Sequence, residues 1–423
     1  PMNASKRPIL AVDKVRHVGD PVVFILADTT NQALDASELI EISYDELPCV
    51  TDTSKALNSD SPILFEEFGS NSAVDWELGS EDEWKMVEDK ADHISKVDLI
   101  NNRIVVNPIE PRSAISDYNK DNNHFTVYVE SQGSHAMRER LAGSLGVEEK
   151  NIKVVTNDVG GGFGLKMMCF PEYVATMFAS RALKRPVKWT STRSEAFLSD
   201  SHGRDHVTEA SIAMDKEGNF LGVKVDTVAA VGAYLSQYGI FIPTLAGAGM
   251  HVGVYKIPVL YNKVNVVYTN TVPVDAYRGA GRPEASYVIE RLVDKAADDL
   301  GIDPVELRVK NFVQPDEIGK HEGAILPLDS CDFQKTTEMS MVNSSYEDFL
   351  KRKEESKLEN KLKGIGISYY IERTQGEGAE NSRVVISGEG SVKVFAGTQA
   401  TGQGHETAWT QILVEKLGVN PED

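Results

Sequence analysis

Short apolar runs alternate along the chain with segments of helical periodicity, which is the pattern of a mixed α/β protein. Near the N-terminus, the apolar run Val22–Asp28, the helical segment Thr29–Ile40 and the run Glu41–Tyr44 predict a β-α-β unit within residues 1–55. Residues 56–95 show no clear period and include an acidic stretch. We therefore expect them to form a surface linker that connects this unit to a larger body.

Two later regions repeat one pattern of strand, helix and loop. The predicted strand His124–Val129 and helix Ser134–Leu145 lead into the sequence Leu-Gly-Val-Glu-Glu. The predicted strand Ser391–Ala396 and helix Thr407–Leu417 lead into Leu-Gly-Val-Asn-Pro-Glu. An internal match of this kind indicates a duplicated domain.

The duplication divides the larger body into a first copy at residues 96–340 and the beginning of a second copy at 341–423. The charged segment Ser344–Lys363 has helical composition and is expected to connect them. The chain does not begin with Met and stops soon after the helix of the second copy. We expect it to be a fragment of a longer protein.

Composition narrows the possible partners. The 423 residues carry a net charge of −20 without a basic stripe, which argues against nucleic acid. No stretch approaches the roughly 20 apolar residues of a membrane span. Cys49, Cys169 and Cys331 are far apart, so they provide neither a disulfide framework nor an iron–sulfur motif. A cytoplasmic setting is expected.

The most distinctive local feature is the glycine loop Asp158–Gly164, directly after a predicted strand that begins at Ile152 and ends at Val155 or Thr156. Pro171 then opens a helix that is predicted to run to about Leu183. A strand, a glycine loop and a helix in this order can present backbone N–H groups to an anion. The spacing is neither that of a Rossmann fold nor that of a P-loop, and a tight structural turn is the alternative.

Two further loops have the same plan. Arg278 and Arg282 lie among small residues in the loop Asn270–Arg282, where a guanidinium could bind an anion or instead cap carbonyl groups of the preceding strand. The loop Thr398–Glu406 places polar side chains on a glycine frame, or forms a long structural turn. Three such loops in one chain favour a large, multiply charged cofactor.

These motifs together resemble the molybdopterin-binding large subunit of the xanthine oxidase family of molybdenum hydroxylases. The resemblance covers practically the whole chain and is carried by five motifs: Gly160-Gly-Gly-Phe-Gly164, Ala276-Tyr-Arg-Gly-Ala-Gly-Arg282, Gly402-Gln-Gly-His405, Ile109-Glu-Pro-Arg112 and Ala297–Arg308. It implies a partial α/β hammerhead domain followed by duplicated molybdopterin-binding domains, of which the second is truncated.

The resemblance also implies an activity and partners. The expected reaction is oxidation of an aldehyde or N-heteroaromatic carbon, with water as the oxygen source. The cofactor would be molybdenum-molybdopterin, as the cytosine dinucleotide, and no side chain would bind the metal directly. Electrons would pass to [2Fe-2S] clusters on a small subunit and to FAD on a medium subunit, in a dimer of heterotrimers.

Residue roles follow from the same resemblance. Gln132 would hydrogen-bond an oxygen on molybdenum, and the backbone near Phe163 and Arg278 would line the metal. The expected cofactor-binding residues are Gln132, Gly162, Phe163, Gly164, Arg278, Gly402, Gln403, Gly404 and His405. The expected substrate pocket comprises Met167, Ala246, Tyr277, Gly279 and Ala280.

Departures from the family pattern narrow the substrate. Purine hydroxylases have a Glu at the position of Met167, an Arg at that of Ala246 and a stacking Phe at that of Ala280, so xanthine is disfavoured. Carbon monoxide enzymes have a copper-binding Cys where this chain has Gly279. The sequence is most similar to the copper-free form II of the carbon-monoxide-dehydrogenase-like large subunits, which are also aldehyde oxidase-like.

The family's general base is a Glu in a Gly-x-Gly-Glu motif, and we expect its counterpart beyond Asp423. No catalytic residue is therefore predicted within the chain, and the fragment alone is expected to be inactive. The alternative is a non-catalytic, cofactor-binding half of a split large subunit, with the base on another polypeptide.

Overall fold

The structure, a computed structural model, describes residues 2–319, 328–372 and 381–422. In these ranges the strands are β1 (Ser72–Leu78), β2 (His93–Asn101), β3 (Ile104–Val105), β4 (Ser113–Asn119), β5 (His124–Val129), β6 (Ile152–Val155), β7 (Val187–Thr190), β8 (His202–Gly203), β9 (His206–Met214), β10 (Phe220–Gly232), β11 (Val259–Tyr268), β12 (Ser382–Ile386) and β13 (Val392–Ala396). The helices are α1 (Thr30–Glu38), α2 (Glu81–Glu88), α3 (Ser134–Leu145), α4 (Pro171–Leu183), α5 (Arg193–Ser199), α6 (Arg282–Leu300), α7 (Pro304–Asn311), α8 (Phe333–Ser344), α9 (Phe349–Leu358) and α10 (His405–Leu417).

The larger sheet has the strand order β1-β11-β10-β9-β2 and is covered by α6. Strands β10 and β11 are parallel, whereas the other pairs are antiparallel. Apolar residues recur at three- and four-residue spacing along α6, so one stripe of the helix faces the sheet. This packing forms the largest core, which includes Ile212, Val223, Val225, Leu292, Val293 and Ala296.

The smaller sheet has the order β6-β5-β4-β7 and packs against α3 and α4. Strands β5 and β6 are parallel, so their carboxyl ends lie at the same edge of the sheet. The turn with Gln132 follows β5, and the glycine loop Asp158–Gly164 follows β6. The topology therefore brings two sequence-predicted site segments to one edge.

Prediction and structure agree best around this smaller sheet. Strands β5 and β6 and helices α3 and α4 have the predicted bounds, and the mixed α/β class is confirmed. In the second copy, β13 and α10 correspond to the predicted strand and helix, whereas β12, which pairs with β13, was not predicted. Within the predicted connector, a 3-10 helix at Tyr346–Asp348 leads directly into α9, which ends at Leu358.

The predicted β-α-β unit is wrong in its strands. Helix α1 forms, with a capping box between Thr29 and Gln32. Val22–Asp28 and Glu41–Tyr44, however, pair with no strand among the described residues. Isolated extended segments lack the hydrogen-bond partner that a strand requires, so apolar composition alone did not identify one.

The predicted linker 56–95 is also corrected, because it contains β1, α2 and the start of β2. Strand β1 pairs with β11, with Trp76 opposite Val264, and Trp84 of α2 is buried. Along β1, apolar residues alternate with acidic ones from Val74 to Leu78, a period of two that the linker prediction overlooked. The predicted domains 1–55, 96–340 and 341–423 include Pro1, 320–327, 373–380 and Asp423, which lie outside the described residues.

No helix among the described residues is both long enough and apolar enough to cross a membrane.

Candidate cofactor-binding site

Three loops surround a cleft of about 910 Å³. They are the glycine loop Asp158–Gly164, the arginine loop Ala276–Arg282 and the third loop, residues 401–404, of the second copy. The lining residues are Ile109, Glu110, Gln132, Val159, Gly160, Gly161, Phe163, Gly164, Met167, Ala276, Tyr277, Arg278, Gly279, Ala280, Arg282, Glu372, Thr401, Gly402 and Gln403.

The glycine loop and the arginine loop are in direct backbone contact. Gly164 has φ of +101°, and a Cβ there would lie 2.4 Å from the carbonyl oxygen of Ala276. Only glycine can occupy that position without separating the loops. The backbone N–H of Arg278 donates to the carbonyl oxygen of Phe163 at 3.0 Å. The two loops therefore form one wall of the cleft.

The glycine loop leaves hydrogen-bond donors unpaired at its centre. At its ends, Gly160 N–H donates to Glu110 Oε2 at 2.6 Å and Gly164 N–H donates to Gln132 Oε1 at 2.8 Å. The N–H groups of Gly161, Gly162 and Phe163 bond to no residue that the structure describes. Because Gly161 and Phe163 have positive φ, the loop resembles an anion-binding nest.

The backbone of the arginine loop is held in place by the buried ion pair of Arg204 and Glu284. Arg204 Nη1 donates to Glu284 Oε1 at 2.8 Å, and Arg204 Nη2 donates to the carbonyl oxygen of Arg278 at 2.8 Å. Glu284 also accepts a hydrogen bond from Gly281 N–H at 2.9 Å, through Oε2. This network fixes the backbone around Arg278 independently of its side chain.

The two arginines of that loop differ in their contacts. Arg282 Nη1 donates to the carbonyl oxygens of Gly279 and Ala280 at 3.2 Å, and its Nε lies 3.4 Å from Glu372. Arg282 thus caps carbonyls of its own loop, whereas the alternative interpretation placed the capped carbonyls on the preceding strand. Arg278 is exposed, and its guanidinium lies 5.8 Å from the ring of Phe163. Among the described residues this guanidinium has no hydrogen-bond partner, so it can bind an anion.

The third loop lies at the start of α10. Gly402 and Gly404 have φ of +114° and +73°, and a Cβ at either would contact nothing, so their conformation alone favours glycine. Gln403 Oε1 accepts a hydrogen bond from the Thr401 hydroxyl at 3.2 Å. His405 stacks on Trp409, and its buried Nδ1 has no hydrogen-bond partner among the described residues. Only the residues from Thr401 to Gln403 line the cleft.

The structure brings most of the sequence-predicted site residues together. Gln132, Phe163, Gly164, Arg278, Gly402, Gln403, Met167, Tyr277, Gly279 and Ala280 all line the cleft. Gly162, Gly404 and His405 adjoin lining residues without lining it themselves. Ala246 does not reach it, because it is buried in the turn Ile242–Gly247, where its backbone packs under Gly281. The proposed roles of these residues stay predictions.

Sequence reasoning missed the residues that support the loops, namely Glu110, Lys166, Arg204 and Glu284. Glu110 lies in a motif that carried the resemblance, and Lys166 follows the glycine loop directly, so both offered a signal. Arg204 donates hydrogen bonds to the carbonyl oxygens of Tyr277 and Arg278, which lie 73 and 74 residues further along the chain. No local sequence pattern therefore pointed to Arg204.

The donors of the cleft fit a cofactor bound through anionic and polar groups. The unpaired N–H groups of the glycine loop and the guanidinium of Arg278 are positive, and both suit phosphate or pterin oxygens. Across the described residues, no group of three or more His, Cys, Asp or Glu side chains is placed to hold a metal ion.

Comparison with known proteins gives matches along the chain. A family model described as molybdopterin cofactor-binding domain matches residues 64–312, and a second model of the same description matches 340–423. The a/b hammerhead domain of aldehyde oxidase and xanthine dehydrogenase matches residues 1–48. The fold expected from the resemblance, a hammerhead portion followed by two molybdopterin-binding domains, is confirmed.

Individual relatives agree. The gamma subunit of the 6-hydroxypseudooxynicotine dehydrogenase complex of Paenarthrobacter nicotinovorans is 32% identical, over 98% of this chain and 52% of its own length. The carbon monoxide dehydrogenase large chain of Afipia carboxidovorans is 30% identical, over 98% of this chain and 55% of its own length. Quinoline 2-oxidoreductase from Pseudomonas putida 86 superposes with a TM-score of 0.90 at 27% identity, over 100% of this chain and 56% of that chain.

The chain spans about half the length of the curated relatives it matches. Within that span the match is nearly complete, and the first molybdopterin-binding model alone covers more than half of the chain. The chain therefore belongs to the xanthine oxidase family of molybdenum hydroxylases, in the group of their molybdopterin-binding large subunits.

Proposed function

We propose that the chain binds molybdenum-molybdopterin in the cleft and contributes to oxidation of an aldehyde or N-heteroaromatic carbon. The observation that carries this proposal is the set of unpaired N–H groups at Gly161, Gly162 and Phe163, beside the unpaired guanidinium of Arg278. A site with this many free donors on rigid backbone suits a large anionic cofactor.

When bound, the cofactor supplies the two-electron oxidation of a carbon with oxygen taken from water. The residues of the chain bind and orient it. The glycine loop donates N–H groups, Arg278 offers positive charge, and the amide NH₂ of Gln132 can donate while its oxygen holds Gly164. The third loop, from Thr401 to Gln403, offers further donors for a cytosine dinucleotide tail.

The substrate side of the cleft supports a small or planar uncharged substrate. Met167, Gly279 and Ala280 line it with apolar or small groups, which leave room for a ring or an alkyl chain. Purine recognition built on hydrogen bonds would require polar groups at these positions. Two relatives are named for acting on a nicotine derivative and on quinoline, which agrees with an N-heteroaromatic substrate.

The partners proposed for the whole enzyme are a [2Fe-2S] small subunit and an FAD medium subunit, in a dimer of heterotrimers in the cytoplasm. Relatives named as gamma subunit or large chain support assembly with other subunits. A general base on chain beyond Asp423 would complete the site.

Metal and nucleotide analysis tests the proposal. The full-length protein would be purified with its neighbouring subunits from a host that makes the cofactor. About one molybdenum per large subunit, with a released pterin nucleotide, is expected of a cofactor held at one site per copy. A folded, assembled preparation without molybdenum would contradict the proposal and favour the non-catalytic alternative.

A further inference from the structure

Glu110 places a carboxylate in a cleft that otherwise offers donors and positive charge. Its side chain is 37% exposed, and its Oε2 accepts hydrogen bonds from Gly160 N–H at 2.6 Å and from Lys166 Nζ at 2.7 Å. Glu110 also donates its own N–H to the carbonyl oxygen of Gly160 at 3.2 Å. One residue therefore contacts both ends of segment 160–166, and we name the group of Glu110, Gly160 and Lys166 the Glu110 clamp.

Lys166 is the buried half of the clamp. Its side chain has no exposed surface, and a buried ammonium requires a paired charge to offset its lost hydration. The ammonium bonds to Glu110, while its carbonyl oxygen accepts a hydrogen bond from Gln132 N–H at 3.1 Å. Lys166 thereby links the clamp to the turn whose side chain holds Gly164.

Close packing leaves Gly160 little freedom. A Cβ at Gly160 would lie 2.5 Å from the Cβ of Glu110, so backbone and carboxylate stem are in direct contact. Gly160 is held by Glu110 and Gly164 by Gln132. The three central N–H groups bond to no described residue, and they belong to lining or adjoining residues. The clamp therefore fixes one end of the donor array.

The clamp rests on a rigid base within the same Ile109–Arg112 motif. Arg112 is fully buried; its Nε donates to Asp200 at 2.5 Å and its Nη atoms donate to Glu172 at 3.1 Å. Its guanidinium also lies 3.7 Å from the ring centroid of Phe170. Two residues from Glu110, the backbone is thus tied to α4 and to the end of α5, so Glu110 cannot follow a movement of the glycine loop.

We propose that Glu110 is a positioning residue, which with Lys166 orients the N–H groups of Gly161, Gly162 and Phe163 toward the anionic groups of the cofactor. The inference rests on the proposed function for the identity of the ligand, but the clamp is a property of the chain itself. Lys166 neutralises the carboxylate, which explains how an acidic side chain is tolerated beside an anion site.

The test compares Glu110→Ala, Glu110→Gln and Lys166→Met in the full-length protein assembled with its partner subunits. Hydrogen exchange of peptide 158–167 reports loop order, and molybdenum and pterin content report binding. E110A and K166M are expected to exchange faster in this peptide and to lose about tenfold in cofactor content, the scale of lost supporting contacts around metal sites. E110Q keeps one oxygen that can accept both hydrogen bonds but leaves the buried Lys166 ammonium without its paired charge, so its cofactor content should lie between those of E110A and the wild type.

The matched control is Glu149→Ala, which removes an exposed carboxylate paired with Arg138. It should change neither the hydrogen exchange of peptide 158–167 nor the cofactor content. The inference is overturned if E110A matches the wild type in both exchange and content, or if E110Q loses as much as E110A. A wild-type protein without molybdenum would instead contradict the proposed function. The comparison of hydrogen exchange needs no cofactor, so it would still test whether the Glu110 clamp orders the glycine loop.

Discussion

At the scale of single residues, the side chain of Arg278 is expected to contribute to cofactor binding but not to folding. Its guanidinium has no hydrogen-bond partner among the described residues, and its backbone is held by Arg204 and Phe163 whatever the side chain. We expect Arg278→Ala to abolish turnover in the full-length enzyme, because the positive charge at the cofactor is lost. The free energy of unfolding should change by no more than about 0.5 kcal/mol, the usual range for an exposed substitution.

Steady-state assays and urea unfolding of the same preparation check both halves of this prediction. Arg291→Ala is the matched control, since that arginine is exposed on α6 and does not line the cleft. Normal turnover in the Arg278 variant would remove the residue from the site.

The stability of the protein is expected to depend on pH because His251 is buried. Burial lowers the pKa of His251 to about 4, from an unperturbed value of 6.5, and the nearby His206 adds to this effect. Between pH 6.5 and about 4 the unfolded chain binds a proton that the folded chain does not, so the free energy of unfolding falls as the pH falls. This one group accounts for a loss of about 3 kcal/mol over that window.

Urea unfolding at several pH values between 7 and 4 measures the effect. The variant His251→Gln cannot take up the proton, so its stability should decline less steeply than that of the wild type. His135 is exposed, and His135→Asn serves as the control. Parallel curves for the wild type and His251→Gln would show that His251 does not titrate as its burial requires.

At the scale of elements, the sequence was informative where structure is local. Helix α3 and strands β5 and β6 follow one another closely and have clear periods, so their bounds were predicted correctly. Strand β1 was missed although its apolar residues alternate with acidic ones, and the N-terminal strands were wrong because they lack a partner in the described residues. The Glu110–Lys166 pair joins residues 56 positions apart, which no short-range pattern reveals.

The contact between the glycine loop and the arginine loop yields a prediction for two elements together. In Gly164→Ala, the new methyl group would meet the carbonyl oxygen of Ala276 in a backbone conformation that alanine rarely adopts. We expect the loops to separate, with a loss of at least about 1 kcal/mol in stability and a large fall in molybdenum content.

Urea unfolding and metal analysis check this result. Gly143→Ala is the control, because Gly143 lies within α3 and its Cβ would contact nothing within 4 Å. That variant should be unchanged or more stable by about 0.5–1 kcal/mol, the helix propensity difference. Equal molybdenum content in the two variants would contradict the role given to the loop contact.

At the scale of the whole molecule, the cleft depends on how the second copy sits on the first. The glycine and arginine loops belong to the first copy, whereas Glu372 and the third loop come from the second. The segment before Glu372 is anchored by Tyr369, whose N–H donates to Glu290 at 2.9 Å and whose ring packs edge-on against Phe312 at 4.8 Å. This anchor therefore holds the segment that leads to Glu372 at the cleft.

Tyr369→Ala should loosen the second copy without unfolding the first. Loss of a half-buried aromatic ring is expected to weaken the anchor by about 2 kcal/mol, less than the cost at a fully buried site. Because the third loop would then be held less firmly opposite the glycine loop, the cofactor should dissociate faster. The neighbouring Tyr370 is 77% exposed, so Tyr370→Ala changes the same segment without removing the packing. Limited proteolysis across residues 361–381 and the rate of pterin release should both rise in Tyr369→Ala only; equal values in the two variants would place the contact between the copies elsewhere.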